Sequence, residues 1–461
     1  MDALHADLLV IGFGKGGKTL AAAMGRAGKR VVMVEQDALL YGGTCINIAC
    51  VPTKALIHRA SRRPEDVDPG TWYAASIAST ASMTSAMRDK NFRMLDTLDT
   101  VTVLTGTASF LDEKRVEVVA GTDRLEISAD SIVINTGADP VIPDVPGLRG
   151  SAHLVTNADL VRSADMPRRV AVIGGGYQGI EFAAMLSRYE IPVTVLESGD
   201  RILRREDEDV ARAAETILRE EGITFVTGAR VTEVADADAA ATVHYETRDG
   251  TRGIVEAEAV LVGTGRAPHT AGLRLEAAGV RTDERGAIEV DEYLRTSRPH
   301  IFAVGDVNGG PQFTYISLDD YRIVAGQIMG TGDGKRSTAD RVAVPYTLFM
   351  TPPLARVGMT EKEAHALGRS VRVAAKDVAA LMAMPRASIV GDVRGMMKFV
   401  VDAETDEILG AALLSVDAQE LINTVALAMR AGVTAGGLRD AIWTHPSSTE
   451  AFNEVLATVV R

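Results

Sequence analysis

Cysteine is almost absent: the 461 residues contain only Cys45 and Cys50, both in one short segment. That excludes a scaffold held by disulfides, and in a reducing compartment so close a pair points to catalysis, redox sensing or metal binding. The further Cys or His ligands that thiolate metal sites carry nearby are missing, so no metal site is assigned. No apolar run approaches the roughly 18 residues of a membrane helix. Met1 to Asp7 carries no basic cluster, and the apolar stretch Leu8 to Ile11 is too short for a signal-peptide core, so a soluble, cytoplasmic protein is expected. Basic residues are outnumbered, 49 against 62 acidic, and a net charge of −13 argues against a nucleic-acid partner, which needs clustered Lys and Arg.

What is present is length enough for about three domains. Asp7 to Glu35 reads as strand, glycine-rich turn, helix and strand, and Arg168 to Glu197 repeats that grammar. Gly12, Gly14 and Gly17 in the first copy correspond to Gly174, Gly176 and Gly179 in the second. Glu35 and Glu197 each follow the first glycine by 23 residues. Each copy closes on an apolar strand and Thr-Gly, at Thr136-Gly137 and at Thr264-Gly265. A lone GxGxxG says little, but here each one follows a strand and opens a helix. Backbone N–H groups can then meet a pyrophosphate, and the acid can accept ribose hydroxyls. Two nucleotide-free domains of the same shape are the bland alternative.

The run HIFAVGD, ending at Asp306, is expected to return the chain to the first domain. From about Arg341 the strand-rich GMMKFVVD and EILGAALLSVD and the amphipathic DAQELINTVALAMRAG suggest a separate α+β domain.

A competing pattern overlaps the first glycine motif. Gly12 to Thr19, GFGKGGKT, fits GxxxxGK[ST], in which Lys18 would bind phosphates and Thr19 would bind Mg²⁺. A nucleoside triphosphatase is therefore a remote alternative, one that leaves Glu35, the second glycine motif and the cysteines unexplained.

The most specific segment is GGTCINIACVPTK, Gly42 to Lys54. On an ideal helix a five-residue offset rises about 7.5 Å, more than the roughly 4.4 to 6.8 Å between the Cα atoms of a disulfide. A bond between Cys45 and Cys50 therefore requires Cys45 on a distorted entry turn, which Gly42 and Gly43 permit, with Cys50 in the helix proper. Two inert buried thiols are the alternative. Near the C-terminus, THPSSTEAFNE places Glu450 five residues after His445. Such a pair can act as a general base with its orienting carboxylate, although a lone His is more often structural.

Together these motifs resemble the pyridine nucleotide-disulfide oxidoreductases, in the family's order and over nearly the whole chain. They are GxGxxG with Glu35, GGTCINIACVPTK, GGGYQGIEFA, VGTGRAP, FAVGD and HPSSTE. The resemblance implies an α/β fold of two Rossmann-like domains and a C-terminal α+β dimerisation domain. Residues 1–155 and 267–340 would form the FAD domain, 156–266 the NAD(P) domain and 341–461 the dimer interface.

It further implies FAD contacts from Gly43, Thr44, Thr136, Gly137, Gly305 and Asp306, the last on the ribityl chain. Gly265, Arg266 and a gating Tyr177 would line the nicotinamide site. Lys54 and Glu181 would pair beside the flavin, and His445 and Glu450 would serve the partner subunit of a homodimer. Electrons would pass from NAD(P)H through FAD to Cys50, leaving Cys45 as the attacking thiolate facing outside. Glu197 favours NADH, while Arg201, Arg204 and Arg205 keep NADPH possible. Within the family, IGFGKGGKTLA, GGPQFTYISLDDYRIV and FMTPPLARVGMTE are similar to the bacterial reactive-chlorine-resistance flavoproteins. The implied substrate is a small oxidant such as hypothiocyanous acid. Lipoamide or glutathione reductases and Cu²⁺ or Hg²⁺ reductases are the alternatives.

Overall fold

The computed structural model describes residues 3–332 and 334–458. The first sheet begins with β1 (Ala3–Ile11), β2 (Val31–Glu35), β3 (Val101–Thr105) and β4 (Asp123–Ile134), parallel in the order β3-β2-β1-β4. Leu8 to Ile11 and Val31 to Val34 are buried without alternation, as expected of parallel strands covered on both faces. Helix α1 (Lys15–Arg26) covers one face. A broken pair, α2 (Thr44–Asn47) and α3 (Cys50–Ala60), then leads into the long α4 (Pro69–Asp96).

A short strand, β5 (Ala138–Pro140), carries the chain into the second sheet. There β6 (Val170–Ile173), β7 (Val193–Glu197) and β8 (Ala259–Val262) lie parallel in the order β7-β6-β8, with α5 (Tyr177–Arg188) following β6. The chain returns through β9 (Arg266–Pro268), antiparallel to β5, and β10 (Ile301–Ala303) then lies parallel to the end of β4. HIFAVGD thus rejoins the first domain, as its pattern predicts. Thr224–Thr227 flanks β7 in parallel, so the second sheet has five strands that match the five parallel strands of the first, which also carries the antiparallel Thr107–Phe110 and Arg115–Ala120. Each takes its fifth parallel strand from outside its own repeat. The first takes β10, and the second takes Leu154–Val155 beside β8.

That last pairing moves a boundary. Residues up to 155 were expected in the first domain, but Leu154–Val155 is an edge of the second sheet. Leu148 is buried among Ala171, Leu196 and Val231 of the second domain. The crossover lies at β5, where Pro140 pairs with Arg266.

Helix α6 (Thr314–Met329) packs on α1, tied to it by the Gly16 N–H donating to Ser317 Oγ at 3.0 Å. The C-terminal unit is an antiparallel sheet of β11 (Tyr346–Leu348), β12 (Leu354–Gly358), β13 (Val371–Asp377), β14 (Met396–Asp402) and β15 (Ile408–Leu414), ordered β11-β12-β15-β14-β13. Helix α7 (Ala418–Arg430) buries Leu421, Ile422, Val425 and Ala426 against it. No helix among the described residues is long and apolar enough to cross a membrane.

Candidate active site

The glycine turns show why no other residue serves there. Gly12 has φ +98°, and a Cβ on it would stand 2.4 Å from the Asn135 carbonyl oxygen, which is backbone and cannot yield. Gly174 has φ +107°, and a Cβ there would meet the Gly263 carbonyl at 2.7 Å. Each repeat thus closes its turn against the strand end that precedes its Thr-Gly. In the first copy Asn135 also bolts the turn: its Oδ1 accepts from Gly17 N at 2.6 Å, and its Nδ2 donates to Val304 O at 3.2 Å.

Both predicted acids hold their own loops. Glu35 accepts from Phe13 N at 2.9 Å, and burial raises its carboxyl above the usual range. Glu197 accepts from Gly175 N at 2.7 Å and Gly199 N at 2.6 Å. Each oxygen keeps a lone pair for a ribose hydroxyl.

By contrast, Cβ atoms on Gly137, Gly176 and Gly265 would meet nothing within 4 Å. These residues border one continuous cleft of about 2490 Å³, lined also by Gly14, Gly43, Thr44, Thr136, Gly305 and Asp306. A single small-molecule site takes roughly 300 to 1,000 Å³, so this cleft has room for two dinucleotides end to end. Asp306 lies in it with its pKa raised by burial, opposed by the charge of Arg266. Glycines bare toward the cleft, N–H groups at the α1 turn and a half-buried carboxylate fit FAD in the first domain.

Both cysteines line this cleft. They do not share one distorted helix: Cys45 belongs to α2, and Cys50 is the first residue of α3. The break falls at Ile48 and Ala49. Ala49 has φ −133°, outside the left-handed region, so alanine is accommodated there without glycine. Gly42 and Gly43, at φ +93° and +89°, form the entry turn. The pair is a dithiol, with Cys45 half-buried and Cys50 the more exposed, the reverse of the accessibility expected for the two.

The hydrogen bond from Cys45 draws the Cys50 thiol down to about 6, against desolvation and with help from the Lys54 charge. The same bond, and then burial, holds the Cys45 thiol far above its ordinary range. The dithiol therefore keeps its negative charge on Cys50, at the N-terminus of an 11-residue helix. Thr314 Oγ1 approaches Cys50 Sγ at 3.8 Å.

Lys54 Nζ donates to Glu181 Oε2 at 2.7 Å, joining α3 to α5. Glu181 Oε1 accepts from Phe349 N at 2.8 Å, which ties in the third domain. Tyr177 is held at the cleft wall: its hydroxyl and that of Tyr346 both donate to Glu206 Oε1 at 2.7 Å. Glu206 is buried and backed by Arg356 at 3.5 Å. Phe313 stacks on Tyr315 and Tyr346, with ring centroids 5.0 and 6.0 Å away. The result is an aromatic wall beside Cys50.

His445 and Glu450 do meet, with Nδ1 and Oε1 2.9 Å apart, and Glu450 also accepts from Ser447 N at 2.8 Å. They are not brought to the cysteines of their own chain, since His445 does not line the cleft. Its side chain is 72% exposed, as a group offered to another molecule would be.

The triphosphatase pattern fails on geometry. Lys18 turns inward to Gly42 O and Asn91 Oδ1, and Thr19 Oγ1 donates back to Lys15 O at 2.6 Å. Neither side chain is placed for a triphosphate or Mg²⁺. Sequence reasoning missed Asn135, Glu206, Thr314 and Tyr346. Only Asn135 carried a signal, as the one amide within the apolar run SIVINTG.

A family model described as pyridine nucleotide-disulphide oxidoreductase matches residues 6–320, and that family's dimerisation-domain model matches residues 344–456. The chain belongs to this family of FAD- and NAD(P)H-using enzymes. Among its relatives, the probable pyridine nucleotide-disulfide oxidoreductase RclA of Escherichia coli is 42% identical over 98% of both chains. The mercuric reductase of Staphylococcus aureus is 33% identical over 97% of this chain and 81% of that one. The dihydrolipoyl dehydrogenase of Mycobacterium bovis is 32% identical over 98% of this chain and 97% of that one. A solved structure, the Cu(II) complex of HOCl-induced flavoprotein disulfide reductase RclA from Escherichia coli, superposes with a TM-score of 0.93 at 42% identity, covering 100% of both chains.

Proposed function

We propose that this flavoprotein disulfide reductase uses NADH to reduce a small electrophilic oxidant, hypothiocyanous acid, through Cys45 and Cys50. The observation that carries it is the dithiol itself. Its two thiols, one hydrogen-bonded to the other, line the dinucleotide cleft, with the Lys54–Glu181 pair and an aromatic wall beside them. FAD, when bound, supplies the two-electron relay between the nicotinamide and the disulfide.

The protein residues divide the rest of the work. Cys45 gives up its proton and its sulfur attacks the sulfur of hypothiocyanous acid. The S–O bond breaks, hydroxide leaves as water after taking a proton, and Cys45 carries a sulfenyl thiocyanate. The Cys50 thiolate then attacks Cys45 Sγ, the disulfide re-forms, and thiocyanate departs with the electron pair. Per turn, NADH and hypothiocyanous acid become NAD⁺, thiocyanate and water. Because Cys45 holds the shared proton, it needs a base. His445, oriented by Glu450, takes that role in the cleft of a second copy of the chain.

Support for the oxidant comes from the likeness to a relative described as HOCl-induced. A steady-state panel tests it. Hypothiocyanous acid is expected to be turned over at least about a hundredfold more efficiently than lipoamide or glutathione disulfide, a margin of roughly 2.7 kcal/mol. Equal or better turnover of either disulfide refutes the assignment. Reduction of Cu(II) is a second reading, favoured by the copper complex of the Escherichia coli relative, and Cu²⁺ belongs in the same panel.

Glu197 underlies the preference for NADH, since a carboxylate at the end of the second strand of this repeat bonds a free ribose hydroxyl and repels a 2′-phosphate. Of the three nearby arginines, Arg201 is occupied with the carbonyls of Arg204 and Glu206. Arg204 lies against Gly199, where a Cβ would meet its Cδ at 2.4 Å. Glu197→Gln removes the charge and keeps one of the two oxygens that accept from Gly175 N and Gly199 N. It is expected to raise the NADPH-to-NADH efficiency ratio by about tenfold, or 1.4 kcal/mol, and an unchanged ratio removes this role.

A further inference from the structure

The lysine that matched a phosphate-binding pattern has other work. Lys18 is only 5% exposed. Its Nζ donates to Gly42 O at 2.9 Å and to Asn91 Oδ1 at 2.5 Å. Three elements thus meet on one ammonium: α1, the turn that opens α2, and α4. We propose that Lys18 is a positioning residue for the attacking thiol, tethering the turn that aims Cys45 and setting an unneutralised positive charge behind its sulfur.

Within the turn, Asn47 Nδ2 donates to Tyr41 O at 3.0 Å and to Gly43 O at 2.9 Å, and Gly43 N donates to Leu40 O at 2.7 Å. Lys18 adds a tether at Gly42 that reaches in from α1. Gly42 and Gly43 are both left-handed, and a Cβ on Gly42 would meet Ile46 Cδ1 at 2.3 Å and Asn91 Cβ at 3.2 Å. The backbone is therefore squeezed between α2 and α4, and Cys45 follows three residues after the carbonyl that Lys18 grips.

The charge matters as much as the tether. Among the described residues no carboxylate pairs with Lys18. The groups that act on it are Lys15 of its own helix and Cys45 of α2, while Asn91 of α4 is neutral. Burying an ammonium without a counter-ion is costly and would be avoided by an apolar residue. Burial, and then repulsion from Lys15, lower Lys18 to about 8, and Cys45 opposes that fall. The coupling is reciprocal: Lys18 pulls the Cys45 thiol down, against the hydrogen bond with Cys50 and the burial that raise it. Thr314 acts on Cys45 in the same direction as Lys18. A charge here eases the deprotonation that attack requires without touching the oxidant.

This inference rests on Cys45 being the attacking thiol, but its test needs no oxidant, so a wrong oxidant leaves it standing. In holoenzyme carrying Cys50→Ser, Cys45 is the sole thiol, and iodoacetamide alkylation against pH reports its titration alone. Lys18→Gln keeps a donor for Gly42 and loses the charge. Asn91→Asp keeps the lysine and neutralises it. Each, added to Cys50→Ser, is expected to raise the apparent pKa of Cys45 by about one unit. Alkylation at pH 7 then slows about tenfold, with FAD content unchanged. Profiles that superimpose on the parent overturn the proposal, as does a shift that appears only in step with lost flavin. Should Lys18→Gln fail to hold FAD, the Asn91→Asp profile alone decides.

Discussion

Cys45→Ser is expected to cut turnover of the oxidant at least about a thousandfold while NADH still bleaches the bound flavin. A serine hydroxyl is a far weaker nucleophile than a thiolate at neutral pH, and apart from Cys50 no other side chain lining the cleft carries sulfur. Cys50→Ser fails differently. Cys45 can accept one electrophile, but nothing then expels it, so one equivalent of oxidant is consumed per chain and turnover stops. Rapid-mixing measurements with limiting oxidant separate the two cases. Retention of more than a tenth of wild-type turnover by either variant contradicts the roles given to these sulfurs.

Gly12→Ala is expected to yield colourless protein. The added methyl carbon would lie 2.4 Å from a backbone oxygen of Asn135, at a φ of +98° that alanine rarely adopts. Left-handed strain alone costs roughly 1 to 2 kcal/mol, and relieving the clash means prising the α1 turn from the end of β4. That turn presents the N–H groups meant for the pyrophosphate, so cofactor affinity falls together with stability. The visible absorbance of purified protein, before and after incubation with excess FAD, is the measurement. A yellow protein with wild-type flavin content would show that the turn does not hold the cofactor.

Much of this was legible in the residues. The two βαβ units announce themselves because their apolar strands and glycine turns are local features, set by sterics within about thirty residues. The return of HIFAVGD to the first sheet could be read for the same reason: a short apolar strand ending in Gly-Asp. The cysteine segment pointed to residues that the structure sets along the cleft, Cys45, Cys50 and Lys54.

What escaped depends on distant partners. Glu206 reads as a surface acid in RILRRED, and only the meeting of Tyr177 with Tyr346 across 169 positions makes it a buried anchor. Leu154–Val155 is too short to show a period and becomes a strand only by lying beside β8. The remote triphosphatase alternative at Lys18 fails because a pattern match reports spacing and not direction. The same letters place its ammonium outward or inward according to what the Gly42 turn does 24 residues later. The charge on Cys50 rather than Cys45 follows from a hydrogen bond that no spacing rule contains.

The strand β10, which flanks β4, belongs to residues 301–303, well beyond the inserted unit. During synthesis β4 therefore leaves the ribosome with the flank of its last residues bare, and β10 follows about 170 residues later, roughly 8 to 35 s at ordinary elongation rates. The inserted unit already owns all five of its parallel strands and can close in that interval. The nucleotide half that begins second in the chain is thus the one able to mature first, and the half that begins the chain stays open to chaperones the longest.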